Sequence, residues 1–146
     1  MDFFTGIFAL VIGGVSIWMS FRLIRLYLKV KGWNRVSATI LSKEVVLNPK
    51  ATTKARHQLK VQYAYQYNEI EYKGENVFMV ELIGGWQSFM KSGAEKKLTE
   101  LPSNPTIFVD PSDPKQSVIY CKGNVLHLLT LLMGIISFLF GISKLI

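Results

Sequence analysis

Groups that usually carry chemistry are scarce in this chain of 146 residues. It has one cysteine, Cys121, so no internal disulfide can form and a disulfide-stapled extracellular domain is excluded. It has two histidines, His57 and His127. Cys121 and His127 flank the start of an apolar run, but two ligands do not make a structural zinc site, so no metal and no cofactor is expected. A phosphate-cradling loop is missing as well, since Gly13-Gly14 and Gly84-Gly85 lack the remaining positions of such a motif. No nucleophile stands in a recognisable pattern with a base. Asp110 and Asp113 lie in the run DPSDP, where the prolines favour a tight turn over a calcium loop or an acid–base pair. Glu69, Glu71 and Glu75 cluster around a predicted hairpin and read as a solvated edge that discourages edge pairing.

The most informative absence is that of charge from Phe3 to Phe21, nineteen residues. At about 1.5 Å per residue this run spans roughly 28 Å, close to the hydrocarbon thickness of a bilayer. Four cations follow with no anion among them: Arg22, Arg25, Lys29 and Lys31. The pattern predicts a transmembrane helix. A cleaved signal peptide fits less well, because Met1-Asp2 carries no cation, the apolar core is long, and the cations stand where the cleavage site should be. Arg22, Arg25 and Lys29 are spaced to share a helical face, which predicts an amphipathic extension lying among lipid head groups. Gly32 supplies a stop. Trp33 has two readings, an interfacial anchor and a core anchor of the following domain.

The net charge of +7 would suit nucleic acid, but its distribution does not. Residues 32–124 carry twelve Lys/Arg against nine Asp/Glu, a net of +3, so more than half of the excess is juxtamembrane. Such cations orient helices and attract anionic lipids. No nucleic-acid partner is expected.

Within the middle segment, Val36–Leu47 is rich in β-branched residues and predicts a strand, and residues 48–55 predict an exposed loop. His57–Tyr67 alternates Leu59, Val61, Tyr63, Tyr65 and Tyr67 with polar or small residues, a half-buried strand. Asn68-Glu69 is read as a turn, Ile70–Tyr72 as the returning strand, Lys73-Gly74 as another turn and Val77–Val80 as a short strand. After Gly84-Gly85, the apolar residues Trp86, Phe89, Met90, Ala94, Leu98 and Leu101 recur at helical spacing, predicting an amphipathic helix over 87–100. Strands are expected at Thr106–Asp110 and Ser117–Cys121. A second uncharged apolar run, Val125–Ile142, closes the chain.

The two apolar runs match each other. Gly6 and Gly13 are seven residues apart, as are Gly134 and Gly141, at depths from the middle domain that match to within one residue. Small residues let membrane helices approach closely, so an antiparallel hairpin should bring Gly13 to Gly134 and Gly6 to Gly141. The predicted architecture is thus a membrane α+β protein: a helix with a basic extension (residues 1–31), an antiparallel β-rich domain, sheet or barrel-like, with one amphipathic helix (32–123), and a second membrane helix (124–146). Cations flank the inner helix ends, Lys115 and Lys122 included. The positive-inside rule then predicts a multi-pass protein of the bacterial inner (cytoplasmic) membrane with the domain in the cytoplasm.

The layout of Trp33, SATILSKE, VQYAYQYNEIEYKGE and FVDPSDPKQSVIY between two apolar runs resembles the bacterial "domain of unknown function 3592" family. The likeness covers roughly residues 33–120. Asp110 departs from it, standing where an aromatic residue is common. The resemblance implies a compact β-rich domain between membrane helices and brings no activity with it. Small bacterial proteins of this build include immunity partners of toxins. Three functions follow as expectations. The first is a non-enzymatic module that contacts membrane lipids and binds a protein partner. The second is an immunity protein neutralising a toxin. The third, disfavoured because the apolar runs hold no formally charged residue, is a membrane enzyme or transporter subunit. Two helices bury little, which is compatible with a homo-oligomer. The tyrosines read first as sheet packing and second as a partner surface made by Tyr63, Tyr65, Tyr67 and Trp86. Trp86 also has core and membrane-dipping readings.

Overall fold

The computed structural model describes residues 2–146; Met1, with which the first predicted segment begins, lies outside them. The elements in order are α1 (Asp2–Lys31), β1 (Asn34–Leu47), β2 (His57–Tyr67), β3 (Ile70–Gly74), a 3-10 turn (Met79–Ile83), α2 (Lys91–Glu100), β4 (Thr106–Val109), β5 (Ser117–Val118) and α3 (Asn124–Ser143). They fall into two compact units, one made of Met1–Lys29 with Gly123–Ile146, the other of Val30–Lys122.

The first unit is a pair of apolar helices. Its side chains point outward: Phe4, Phe8, Trp18, Val125, Leu126 and Met133 are among the large exposed ones. The residues it buries are small, namely Gly6, Gly13, Ser20, Gly134 and Gly141.

The second unit is a five-stranded antiparallel sheet in the order β3-β2-β1-β4-β5. β1 is shared: Asn34–Ser37 pairs with β4, and Ala38–Leu47 with β2. The register shifts between Ile40 and Ser42, so Leu41 is an extra residue in a bulge. The bulge changes which parity faces the core. Before it Ala38 lies opposite Tyr65 and Ile40 opposite Tyr63; after it Lys43 lies opposite Val61 and Val45 opposite Leu59. Without the extra residue, Glu44 rather than Val45 would turn inward. On that inner face Ala38, Leu59, Val61, Tyr63, Tyr65, Val77, Ala94, Leu101, Ile107, Val109 and Ile119 form one core. Lys43, brought to the same side, donates from Nζ to the Leu98 and Leu101 carbonyls, 3.2 Å each, at the C-terminal end of α2. A cation there satisfies end carbonyls and opposes the helix dipole.

Tyr63 lies opposite Gly74, where a Cβ would run into the Tyr63 ring. Its hydroxyl meets the Asn76 carbonyl and Ser117 Oγ, both at 2.9 Å, so the buried polar atom is satisfied. Tyr65 donates to the Pro114 carbonyl at 2.6 Å. The β2–β3 turn places Asn68 and Glu69 at φ 49° and 65°, as a two-residue hairpin turn matched to strand twist requires.

Four expectations are corrected. Lys73-Gly74 is not a turn but the end of β3, because Gly74 has to pair with Tyr63. Val77–Val80 is not a strand. The Glu81 carboxylate accepts the Val77 and Phe78 amides, 2.6 Å each, which coils the chain into the 3-10 turn that Gly84 ends at φ 78°. The amphipathic helix starts at Lys91, because Phe89 exchanges both backbone hydrogen bonds with His57, 3.0 and 2.8 Å, and so keeps the residues before α2 extended. β5 stops at Val118, since Ile119 and Tyr120 donate instead to Asn76 and Val77, 3.3 and 2.8 Å.

Candidate functional site

The helix pair brings backbone to backbone. A Cβ on Gly13 would stand 2.7 Å from the Phe138 amide nitrogen and 2.8 Å from the Gly134 carbonyl oxygen. One on Gly141 would stand 2.8 Å from the Gly6 carbonyl oxygen. Gly14, one residue away, has nothing within 4 Å. Between these two levels Ser137 Oγ donates to the Ala9 carbonyl at 3.2 Å. The same seven-residue spacing puts Ser20 and His127 at a third level, which the glycine pattern alone did not reveal. Ser20 is 2% exposed, and its Oγ has no hydrogen-bond partner among the described residues. Lys144 and Asp2 approach to 3.8 Å at the chain ends, an exposed pair of little energetic weight.

Arg22, Arg25, Lys29 and Lys31 are all exposed along the end of α1. Arg22 lies over the Trp18 ring at 5.6 Å, a cation–π contact. Trp33 is only 8% exposed, and its amide donates to Val30 at 2.9 Å. Of its two sequence readings, burial favours the anchor over the lipid contact.

The tyrosine surface is corrected. Tyr63 is fully buried and Tyr65 3% exposed, so neither ring can meet a partner. Burial pushes the Tyr63 phenol far above its ordinary value and raises that of Tyr65, keeping both as neutral donors. Tyr67 is half-buried and accepts from Asn34 Nδ2 at 2.7 Å. Trp86 is 54% exposed, which leaves it on the surface. A shallow depression on the sheet is lined by Val36, Ser37, Thr39, Ala64, Gln66 and Glu71, with an edge of the largely buried Tyr65 at its floor.

No group of three or more His, Cys, Asp or Glu capable of holding a metal occurs among the described residues. The Cys121 thiol is pushed up by burial, with Lys31 pulling it back in part, and it lies 3.6 Å from the Met79 sulfur. A raised thiol is the protonated, unreactive form at neutral pH. His57 Nδ1 and Ser88 Oγ are buried without a hydrogen-bond partner among the described residues.

No family model and no curated protein matches the chain. The likeness to the "domain of unknown function 3592" family therefore rests on the short motifs given above.

Proposed function

We propose that the chain is an integral membrane protein whose two apolar helices cross the bilayer as a hairpin and carry a non-enzymatic, protein-binding β domain. The observation that carries the reading is the inside-out character of the helix pair. Only 11% of each apolar window is buried, whereas the core helix of a soluble protein is mostly buried. The surface left over is continuous and apolar, which water does not tolerate and lipid does. The close glycine approach supplies the van der Waals packing that holds helices together where the hydrophobic effect between them is absent. A signal sequence would have no reason to fit a second helix this closely.

The binding role falls to the sheet face around Thr39, Ala64, Gln66 and Glu71, since Tyr63 and Tyr65 are in the core. Cations at the inner helix ends support a cytoplasmic domain. The test uses two single-cysteine forms in a Cys121→Ser background, Lys54→Cys in the loop between β1 and β2 and Ser143→Cys at the end of α3. A membrane-impermeant maleimide is applied to intact cells. Labelling of the Ser143→Cys form alone is expected, with the Lys54→Cys form protected until lysis. The opposite pattern would put the domain outside and favour a toxin-neutralising role. Equal labelling of both would overturn the crossing.

A further inference from the structure

Among the described residues, the second unit exposes five large apolar side chains: Leu41, Leu47, Ile70, Trp86 and Met90. Leu41 is in the bulge and Ile70 at a hairpin turn, each alone. Trp86 and Met90, 54% and 58% exposed, share one short segment between the 3-10 turn and α2. That segment is anchored from behind. Phe89 turns inward and meets the Phe78 ring at a tilt, centroids 5.6 Å apart, and Phe78 stacks on Tyr120 at 5.7 Å. Met79, next to Phe78, touches Cys121, and Lys31 is near enough to Cys121 to act on its charge.

The surroundings of the Trp86–Met90 segment are basic. The His57–Phe89 bridge is antiparallel and sets Arg56 alongside Met90. Asn48 donates to the Arg56 carbonyl at 2.7 Å, which brings the loop between β1 and β2 to the same corner. That loop contributes Lys50, Lys54 and Arg56 and no acid, and Lys91 follows Met90. The nearest acid on the adjoining strands, Glu44, is paired with Lys60 at 3.7 Å. An exposed tryptophan and methionine with Arg56 and Lys91 beside them, on a loop corner that carries two further lysines, match a bilayer interface with anionic head groups: the tryptophan ring sits at head-group level and the cations meet phosphates.

We propose that the Gly84–Lys91 segment, with Trp86 and Met90 outward and Lys50, Lys54 and Arg56 beside it, is an interfacial contact that docks the β domain on anionic lipid. This rests on the membrane-crossing reading of α1 and α3. The occupant is the lipid surface rather than an acidic protein, because an outward tryptophan and methionine beside cations are the side chains that settle at head-group depth.

The test keeps the full chain, reconstituted in nanodiscs of phosphatidylcholine with and without phosphatidylglycerol. Nitroxide labels are placed singly, in a Cys121→Ser background, through Gln87→Cys at the patch, Lys73→Cys on β3 and Val15→Cys within α1. Accessibility to a water-soluble nickel relaxer and to oxygen reports depth. The Gln87 site is expected at interfacial depth in anionic discs and in water in neutral ones, with Lys73 in water in both. Changing Lys50, Lys54 and Arg56 to Gln should lower the docked-to-free ratio about a hundredfold. A Gln87 label as nickel-accessible as Lys73 in anionic discs, with Val15 still lipid-protected, overturns the docking alone and leaves the patch to a protein partner. A nickel-accessible Val15 overturns the membrane crossing and the docking with it.

Discussion

The two units solve the packing problem in opposite ways. In the sheet unit the large side chains are inside and each buried hydroxyl of the tyrosine pair has a partner: Tyr63 on Asn76 and Ser117, Tyr65 on Pro114. In the helix unit the large side chains are outside and the buried positions are Gly6, Gly13, Ser20, Gly134 and Gly141. One is organised by removing apolar surface from water. The other, where apolar surface stays exposed, relies on how closely two backbones can approach. Glycine serves both, but for different neighbours: a facing backbone at Gly13, a tyrosine ring at Gly74.

That contrast predicts separable effects. The largest is expected from Gly13→Leu combined with Gly134→Leu. The new side chains would meet helix backbone that cannot give way, at a cost of about 3 kcal/mol. Disulfide formation between Ala9→Cys and Ser137→Cys in a Cys121→Ser background should fall sharply, while the thermal transition of the sheet unit holds. Gly14→Leu, which enters open space, should leave the crosslink yield unchanged. An undiminished yield in the double leucine variant would mean that close approach does not hold the pair.

Next comes Gly74→Ala. Its Cβ would strike the fully buried Tyr63 ring and cost about 2 kcal/mol, read as a lower denaturant midpoint of the sheet unit with the helix crosslink intact. A wild-type midpoint would show that the ring has room to shift.

The smallest effect concerns Glu81. Burial raises its carboxyl above the ordinary 4.5, against the pull of the two amides that it accepts. The folded state therefore holds the proton more tightly than the unfolded one. The stability this provides is complete below 4.5 and is lost as pH rises through the folded-state value. Glu81→Gln removes that dependence, so the variant's thermal midpoint relative to the parent should climb from acid to neutral pH. A constant difference would place the carboxylate in an environment no less favourable than water.

Much of this arrangement is legible in the residues. The β2 boundaries, the Asn68-Glu69 turn, both apolar spans and the depth at which the glycines meet follow from periodicity, length and spacing along one segment. The 3-10 turn was not legible, because Val77–Val80 reads as a strand until Glu81 is seen reaching back to its amides. Nor was the start of α2, because the helical spacing of Trp86, Phe89 and Met90 continues through residues that His57 holds extended. The partner surface first read from Tyr63 and Tyr65 failed for a related reason: alternation shows which residues share a face but not which face is covered.

The sequence by itself determined the elements that depend on neighbours three, four or seven residues away: two helices long enough to cross a bilayer, a hairpin, and small residues at matched depths. Only the tertiary structure decided the rest. The extra residue at Leu41 reverses the parity of β1, so Val45 turns inward and Lys43 reaches the end of α2. A bulge has no composition of its own. It arises from the need to keep Tyr63 and Val61, both on β2, against the same core, a requirement that exists only once strands far apart in the chain have met.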